Sequence, residues 1–512
     1  MLTAAGCLNS IDMDPYFGDE SEFEQLSHEM IELGDKLEDP YTVENVTKAI
    51  ASLYPTKASR IEIKPTDIYV RFLPANEEQM DRLMEIGVEF LDHPMDYTIK
   101  KDGDYYHDPG VDEEEITWQY CVMPSGSAFP EGITYEVLDY CYISENDPAT
   151  RAADIDWDAV EKEAFRLTGN EKLYVPSTKA WEKPQGRITI VDEEANGGKP
   201  FGLAGVKVVC NSFVKFATSY TDRDGYYKMS HHFSSRPRYR LLFKNNAGFA
   251  IGFNLILIPA SMSTLGKGPN TGLDVTIDKN SDKKLFIRSA ISAAAYDYIT
   301  RCEEMGIKAP PKSLRFWHFG GLSASSAPML KHGAVIDNSI IGEYLGALSS
   351  LVKHFLPDIT MGTKDEHSFA DIYRETCHEL AHASHFAKVG VKYWDSYAKY
   401  VIKSFIFKGF EAYGDGTGSG AGYCEVGEMW AYYMQNKMSN ERYGGPMPVA
   451  GADFWFHPQI FSYLDERGLG RDKIFAALTE DVKDLESLKG KLLSLNPQQS
   501  EIINQVFDRY AK

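Results

Sequence analysis

Three residues in this sequence, His378, Glu379 and His382, have the types and spacing to do chemistry on a metal ion. They lie in the stretch SFADIYRETCHELAHASHFAKVG, residues 368–390. Ser368 with Asp371 three residues on resembles a helix capping box, and Gly390 suits a helix stop, so the segment predicts one helix with both its ends. At 100° per residue, Phe369, Ile372, Tyr373, Thr376, Cys377, Leu380, Ser384 and Ala387 form one stripe, which is expected to face the core. His378, His382 and His385 fall on the opposite side. Side chains four apart on a helix stack one above the other, so two imidazoles can converge on one tetrahedral Zn²⁺ at about 2.0–2.1 Å each. Glu379 projects about a quarter-turn away, beside the metal's water rather than on the metal, which is the position of a general base. The competing reading is a solvated helix face. His385 lies about 10 Å in rise from His378, too far to share the same ion. It is expected either as a cleft residue supporting the site or as an exposed histidine.

The pattern His-Glu-x-x-His is shared by the zincin metallopeptidases, and this segment resembles them. The metzincin branch places Gly and His where this chain has His385 and Lys388, so that branch is disfavoured. The gluzincin branch takes its third ligand from a Glu on a following helix, often as Glu-x-x-Ala. Here Glu428 and Ala431 follow a Gly-rich loop, and residues 391–409 supply one inserted helix before it. The resemblance therefore implies His378, His382 and Glu428 as ligands of a single Zn²⁺, with Glu425 as the rival or as a supporting carboxylate. In a helix's first turn, two acids can also simply complement its dipole. Peptidases of this kind stabilise the oxyanion with a Tyr or His beyond the third ligand. Tyr432, Tyr433, Tyr443 and His457 all qualify by type. A strand edge above the metal helix would align an extended peptide, and 312–318 and 359–363 are the two candidates.

The elements that must position these residues belong to a large chain. At 512 residues, with 43% hydrophobic and 12% aromatic side chains, several domains can each bury a core. A net charge of −22 without a basic run argues against a nucleic-acid backbone as partner, and none is expected. No apolar run of about 20 residues occurs, so no spanning helix is expected. Cys7 closes a short run of small residues and precedes an acidic tether, which together resemble the start of a Gram-negative surface lipoprotein. That resemblance implies lipidation at Cys7 and an extracytoplasmic protein, held at the outer membrane or cell surface by lipid alone. Taken at its face, the short start instead implies the cytoplasm. The other six cysteines lack zinc-ribbon or C-x-x-C spacing and are expected as buried free thiols, although Cys377 and Cys424 adjoin the two metal-binding segments.

Along the chain, 1–20 reads as leader remnant and tether, and 21–175 as a small α/β module with helix over 20–50 and again from Val43 to Tyr54. Residues 145–185 suit a linker. From Gly186 the period changes to two, and 183–280 reads as an antiparallel β-sandwich. Its Gly-Val-Lys-Val run at 205–208, followed by the turn at 221–227, resembles transthyretin-like modules appended to carboxypeptidases. Asp222 and Asp224 suit a hairpin turn rather than a calcium loop. His231 and His232 would bind metal only if other elements supplied partners. Residues 281–512 return to helical period, with helices at 285–305 and 338–356 and a helical tail from Phe454 to Tyr510. The fold class expected is α+β and multidomain, ending in a mainly helical zincin-like domain.

The function this implies is hydrolysis of peptide bonds in a peptide or protein substrate. Two alternatives stand beside it: a non-catalytic surface lipoprotein that binds peptides or glycans, and a zinc hydrolase of a non-peptide amide.

Overall fold

A computed structural model of the chain describes residues 30–56, 62–103, 105–112, 115–148, 155–175, 182–252, 262–320, 325–334, 356–366, 368–407, 413–445 and 449–510. Cys7 and the tether lie outside them, as does the helix expected over 338–356 except its last position. The chain is α+β and multidomain, with a helical C-terminal region.

The first module contains β1 (Glu32–Lys36), α1 (Val43–Leu53), β2 (Asp67–Leu73), α2 (Glu77–Glu85), β3 (Phe90–Leu91), β4 (Tyr97–Lys101), β5 (Gln119–Pro124) and β6 (Thr134–Cys141). Its antiparallel sheet runs β3-β5-β2-β6, and β1 pairs separately with β4. Period-two alternation sends Ile68, Val70, Phe72, Cys121 and Met123 into one core with Met80 and Leu83 of α2. Tyr69, Arg71 and Tyr120 take the other face. The helix expected over 20–50 does not form as one piece: 32–36 is a strand, and α1 begins only at Val43, where Thr42 Oγ1 accepts the Asn45 N–H at 3.2 Å. Gly34 explains the difference, because a Cβ there would meet Thr98 Oγ1 at 2.3 Å. Close pairing to β4 uses a residue that costs a helix interior about 1 kcal/mol relative to Ala.

The expected linker holds a helix, α3 (Trp157–Leu167), capped by Asp156. Its Phe165 packs edge-on against Phe213 of the next module at 5.8 Å, so α3 serves as a joint rather than a spacer.

The central module stacks two sheets on a shared core of Ile188, Ile190, Val208, Cys210, Tyr239, Leu241 and Ile277. It comprises β7 (Gln185–Ile190), β8 (Phe201–Gly202), β9 (Lys207–Ser212), β10 (Lys215–Tyr220), β11 (Tyr226–Lys228) and β12 (Arg238–Leu242), with two later strands, β15 (Met262–Lys267) and β16 (Val275–Ile277). One sheet is β10-β9-β12-β15 and is antiparallel; the other is β11-β7-β16 with β8 added, and β16 runs parallel to β7. Asp222 Oδ1 accepts the N–H groups of Asp224 and Tyr226, each at 2.9 Å, and makes the turn expected there.

Two short strands of the same stretch, β13 (Lys244–Asn245) and β14 (Phe249–Gly252), go elsewhere. They join β17 (Leu314–Phe319) and β18 (Ile359–Gly362) in the order β13-β14-β17-β18, with β14, β17 and β18 mutually parallel. Of the two candidate substrate edges, β17 is therefore interior. The outer side of β18 is also taken: Ser326 and Thr360 exchange N–H···O bonds at 2.9 and 2.8 Å, and the Gly362 N–H donates to Ser325 Oγ.

The helices beside this sheet are α4 (Lys283–Arg301), α5 (Phe369–Val389), α6 (Val391–Phe407) and α7 (Ala421–Tyr443). Ser368 Oγ accepts the Asp371 N–H at 3.2 Å and starts α5, and Gly390 at φ 80° ends it. The expected core stripe is buried except at Ala387, which is half-buried, but so is the histidine side. Helices α6 and α7 cover it, with the Trp430 indole N–H donating to the Ala381 carbonyl at 3.1 Å. The tail is helical only from Gln459, as α8 (Gln459–Glu466), α9 (Arg471–Ala477), α10 (Leu485–Leu495) and α11 (Ser500–Asp508). Before it, Phe454 and Phe456 pack against Tyr413 and Tyr432.

Candidate metal centre

Helix α5 delivers His378 and His382, and α7 delivers Glu428, to one buried point. The two Nε2 atoms lie 3.2 Å apart; Glu428 Oε2 is 3.4 Å from His378 Nε2, and Glu428 Oε1 is 3.4 Å from His382 Nε2. Donors bonded at 2.0–2.1 Å to a tetrahedral ion are separated by about 3.3 Å. The residue triangle has sides of that size, with each imidazole facing a different Glu428 oxygen, and the trio could hold a metal ion.

The surroundings orient each donor. His378 Nδ1 is 3.0 Å from Gln435 Oε1, so its N–H is directed there and Nε2 is left with its lone pair toward the triangle. The Tyr432 ring meets the His378 ring edge-on at 4.5 Å, and Trp394 meets His382 at 5.7 Å. Tyr397 of α6 donates its hydroxyl to Glu428 Oε1 at 2.5 Å and stands 3.4 Å from His382 Nε2. Gly427 admits it, since a Cβ there would sit 3.2 Å from the Tyr397 ring. Exposure is 0% for His378 and Glu379 and 1% for His382 and Glu428.

Electrostatics favour a positive charge at this point. Burial alone would push the His378 imidazole down, but the Glu428 carboxylate and the charges of Glu379 and Glu375 lift it to about 9. Burial likewise opposes ionisation of Glu428, yet His382 and His378 hold its carboxyl well below the usual range. Two imidazoles and a carboxylate in a dry site call for a cation, whether proton or metal.

Glu425 is not with the trio; its Oε2 accepts the Leu485 N–H at 3.2 Å, at the start of α10. His385 is fully buried against Tyr393 and Trp394, at 5.1 and 5.9 Å, and burial pushes it down to about 3, so it is a neutral core residue rather than an exposed one. α6, packed over that side of α5, is the reason. Among the tyrosines singled out by type, Tyr443 donates to Asp192 at 3.0 Å, Tyr433 packs on Trp430 and Phe461, and Tyr432 turns its hydroxyl to that of Tyr413 at 3.3 Å. His457 lies on the Tyr510 ring at 4.9 Å. The hydroxyl beside the ligands is that of Tyr397, which sequence reasoning missed; nothing in the local pattern of α6 marks it. Gln435 was missed too, though its position two turns past Glu428 on the same helix was a usable signal. Cys377 and Cys424 are buried free thiols, as are the other described cysteines.

A second grouping joins His232 to Asp158 and Glu161 of α3. The ammonium of Lys215, 2% exposed, already stands 2.7 Å from Glu145 and 3.8 Å from Glu161, so a cation is built into that cluster.

Compared with known proteins, the chain matches no family model, and no curated protein matches it.

Proposed function

We propose that the chain is a zinc-dependent peptidase of gluzincin type, with His378, His382 and Glu428 as the ligands. The observation that carries this reading is the convergence of two imidazoles and the Glu428 carboxylate, at N–N and N–O separations of 3.2–3.4 Å, on a point whose surroundings favour a cation. Zinc bound there supplies a Lewis acid that polarises the scissile carbonyl and lowers the pKa of water to near neutrality. Glu379, next to His378 on α5, takes the proton from the attacking water and passes it to the departing amine. Tyr397, on releasing Glu428 Oε1, would donate its hydroxyl to the oxygen that gains charge in the transition state. Gln435 keeps the His378 ring in the tautomer that binds through Nε2. Lipidation of Cys7 would display the enzyme outside the cytoplasm, and mass analysis of the membrane-bound form tests that.

The near-complete burial of the four residues favours a second reading, in which the metal is held without turnover, as in a non-catalytic surface protein that binds peptides or glycans. The two separate in one experiment. Wild type and Glu379→Gln are loaded with zinc, their metal content is measured, and casein and a peptide library are offered to both. One zinc in each and cleavage by wild type alone supports the peptidase. Zinc in both without any cleavage supports the second reading, and no zinc in either overturns both.

A further inference from the structure

Strand β6 ends the sheet of the first module, and its outer side is met among the described residues only by the bridge from Thr42 to Cys141 at its last position. From Thr134 to Tyr140 it is mostly open, with Tyr135 46% and Tyr140 51% exposed. An edge strand without a lysine or proline on it is a template for pairing, here with a bulge at Leu138 that shifts its register with β2 between Val137 and Asp139. Beside it lies a cleft of about 680 Å³, between the sheet face and the β1–β4 ribbon. The cleft is lined by six carboxylates, Glu38, Asp39, Glu44, Asp96, Asp108 and Asp139, against the cations Lys36 and Arg71. Both cations are already engaged, Lys36 with Asp96 at 3.4 Å and Arg71 with Glu136 at 2.6 Å and Asp108 at 3.7 Å. Asp139, which lies on β6 itself and pairs with Tyr69 of the cleft floor, has no ion-pair partner among the described residues.

We propose that the β6 edge and this cleft together form a docking site for an extended polypeptide segment carrying lysine or arginine, which adds to the sheet as a further strand. Charge complementarity selects this occupant. A strand added to β6 would run about 4.8 Å from it, and alternate side chains would lie on the face of Asp139 and Tyr69. Cations there meet the exposed carboxylates of Asp139 and Glu136, which lie on that face of β6. The chain's net charge of −22 steers a basic segment in at long range. A second copy of the chain is a poorer occupant, since edge-to-edge pairing would bring Glu136 and Asp139 of one copy against those of the other. The site is remote from the metal centre in sequence and does not rest on the peptidase reading.

The test uses the full chain and a fluorescent, end-blocked octapeptide alternating lysine with threonine, with binding read by anisotropy and by amide hydrogen exchange. Saturable binding is expected, with slowed exchange at 134–140. Binding should weaken about tenfold or more with Asp139→Lys, an exposed change checked for folding by circular dichroism, and with rising salt. A peptide N-methylated at alternate residues should bind weakly, because it cannot complete the strand ladder. Equal binding of the N-methylated peptide, or of one with glutamate in place of lysine, overturns the proposal. So does a dimer in sedimentation that protects 134–140 while the peptide leaves it unprotected.

Discussion

The hydroxyl of Tyr397 donates to Glu428 Oε1 at 2.5 Å and stands 3.4 Å from His382 Nε2, which puts one phenol against two of the three donors at the metal centre. It reaches them from α6, a helix that contributes no ligand itself. In Tyr397→Phe the three donors remain, so zinc content should stay at that of wild type. If the hydroxyl serves the oxyanion, kcat should fall by roughly 10²-fold with KM little changed. Steady-state kinetics beside metal analysis checks both halves.

The ligand set can be tested without any substrate. Glu428→Ala should lose stoichiometric zinc, whereas Glu425→Gln should keep it, because Glu425 is turned to the Leu485 N–H at the start of α10 instead. Gln435→Leu removes the acceptor of the His378 N–H and should weaken zinc by about 10–100-fold. Competition against a chromogenic chelator measures all three.

Asp39 gives a pH dependence whose sign is fixed by its raised pKa. Burial, with the charges of Asp96 and Asp139, lifts its carboxyl from 3.8 to about 7, although the Tyr41 and Val214 N–H groups donate to it. The folded state therefore holds this proton more tightly than the unfolded state does. Below pH 3.8 both states are protonated and nothing is lost; between about 4 and 7 stability declines as pH rises, by on the order of 4 kcal/mol at most; above 7 the slope vanishes. Asp39→Asn cannot ionise, so its stability relative to wild type should improve from pH 5 to pH 7.5. Urea denaturation at the two pH values measures this difference.

Ser368 caps the helix that carries both histidines. Ser368→Ala leaves the Asp371 N–H without its acceptor and should cost about 1 kcal/mol, seen as a lower denaturation midpoint with the metal ligands unchanged.

How much of this was readable in the sequence depends on the range of the interactions involved. Helix α5, with its cap, its stop and the stacking of His378 over His382, is a matter of neighbours within a few residues, and the pattern shows it. Glu428 was legible through the spacing of a known motif. Tyr397 was not, because it meets the ligands only through the packing of α6 on α5 and α7. The strand at 32–36 was misread for a similar reason: Leu33 and Leu37 fit a helical stripe, while the deciding contact, Gly34 against Thr98, lies far along the chain. The burial of His385 follows from the same packing of α6.

The sheet under helix α5 reaches back into the sandwich stretch for two of its four strands. Cutting the chain at 281, where the sequence changes character, would take β13 and β14 away and strip β17 of the neighbour that pairs with Phe316 and Trp317. A fragment so made would expose a raw row of backbone donors and acceptors and would tend to aggregate. The part of the chain that carries the candidate metal centre therefore cannot be transplanted by itself, and evolution or engineering that shuffles these segments has to carry 244–252 along with it.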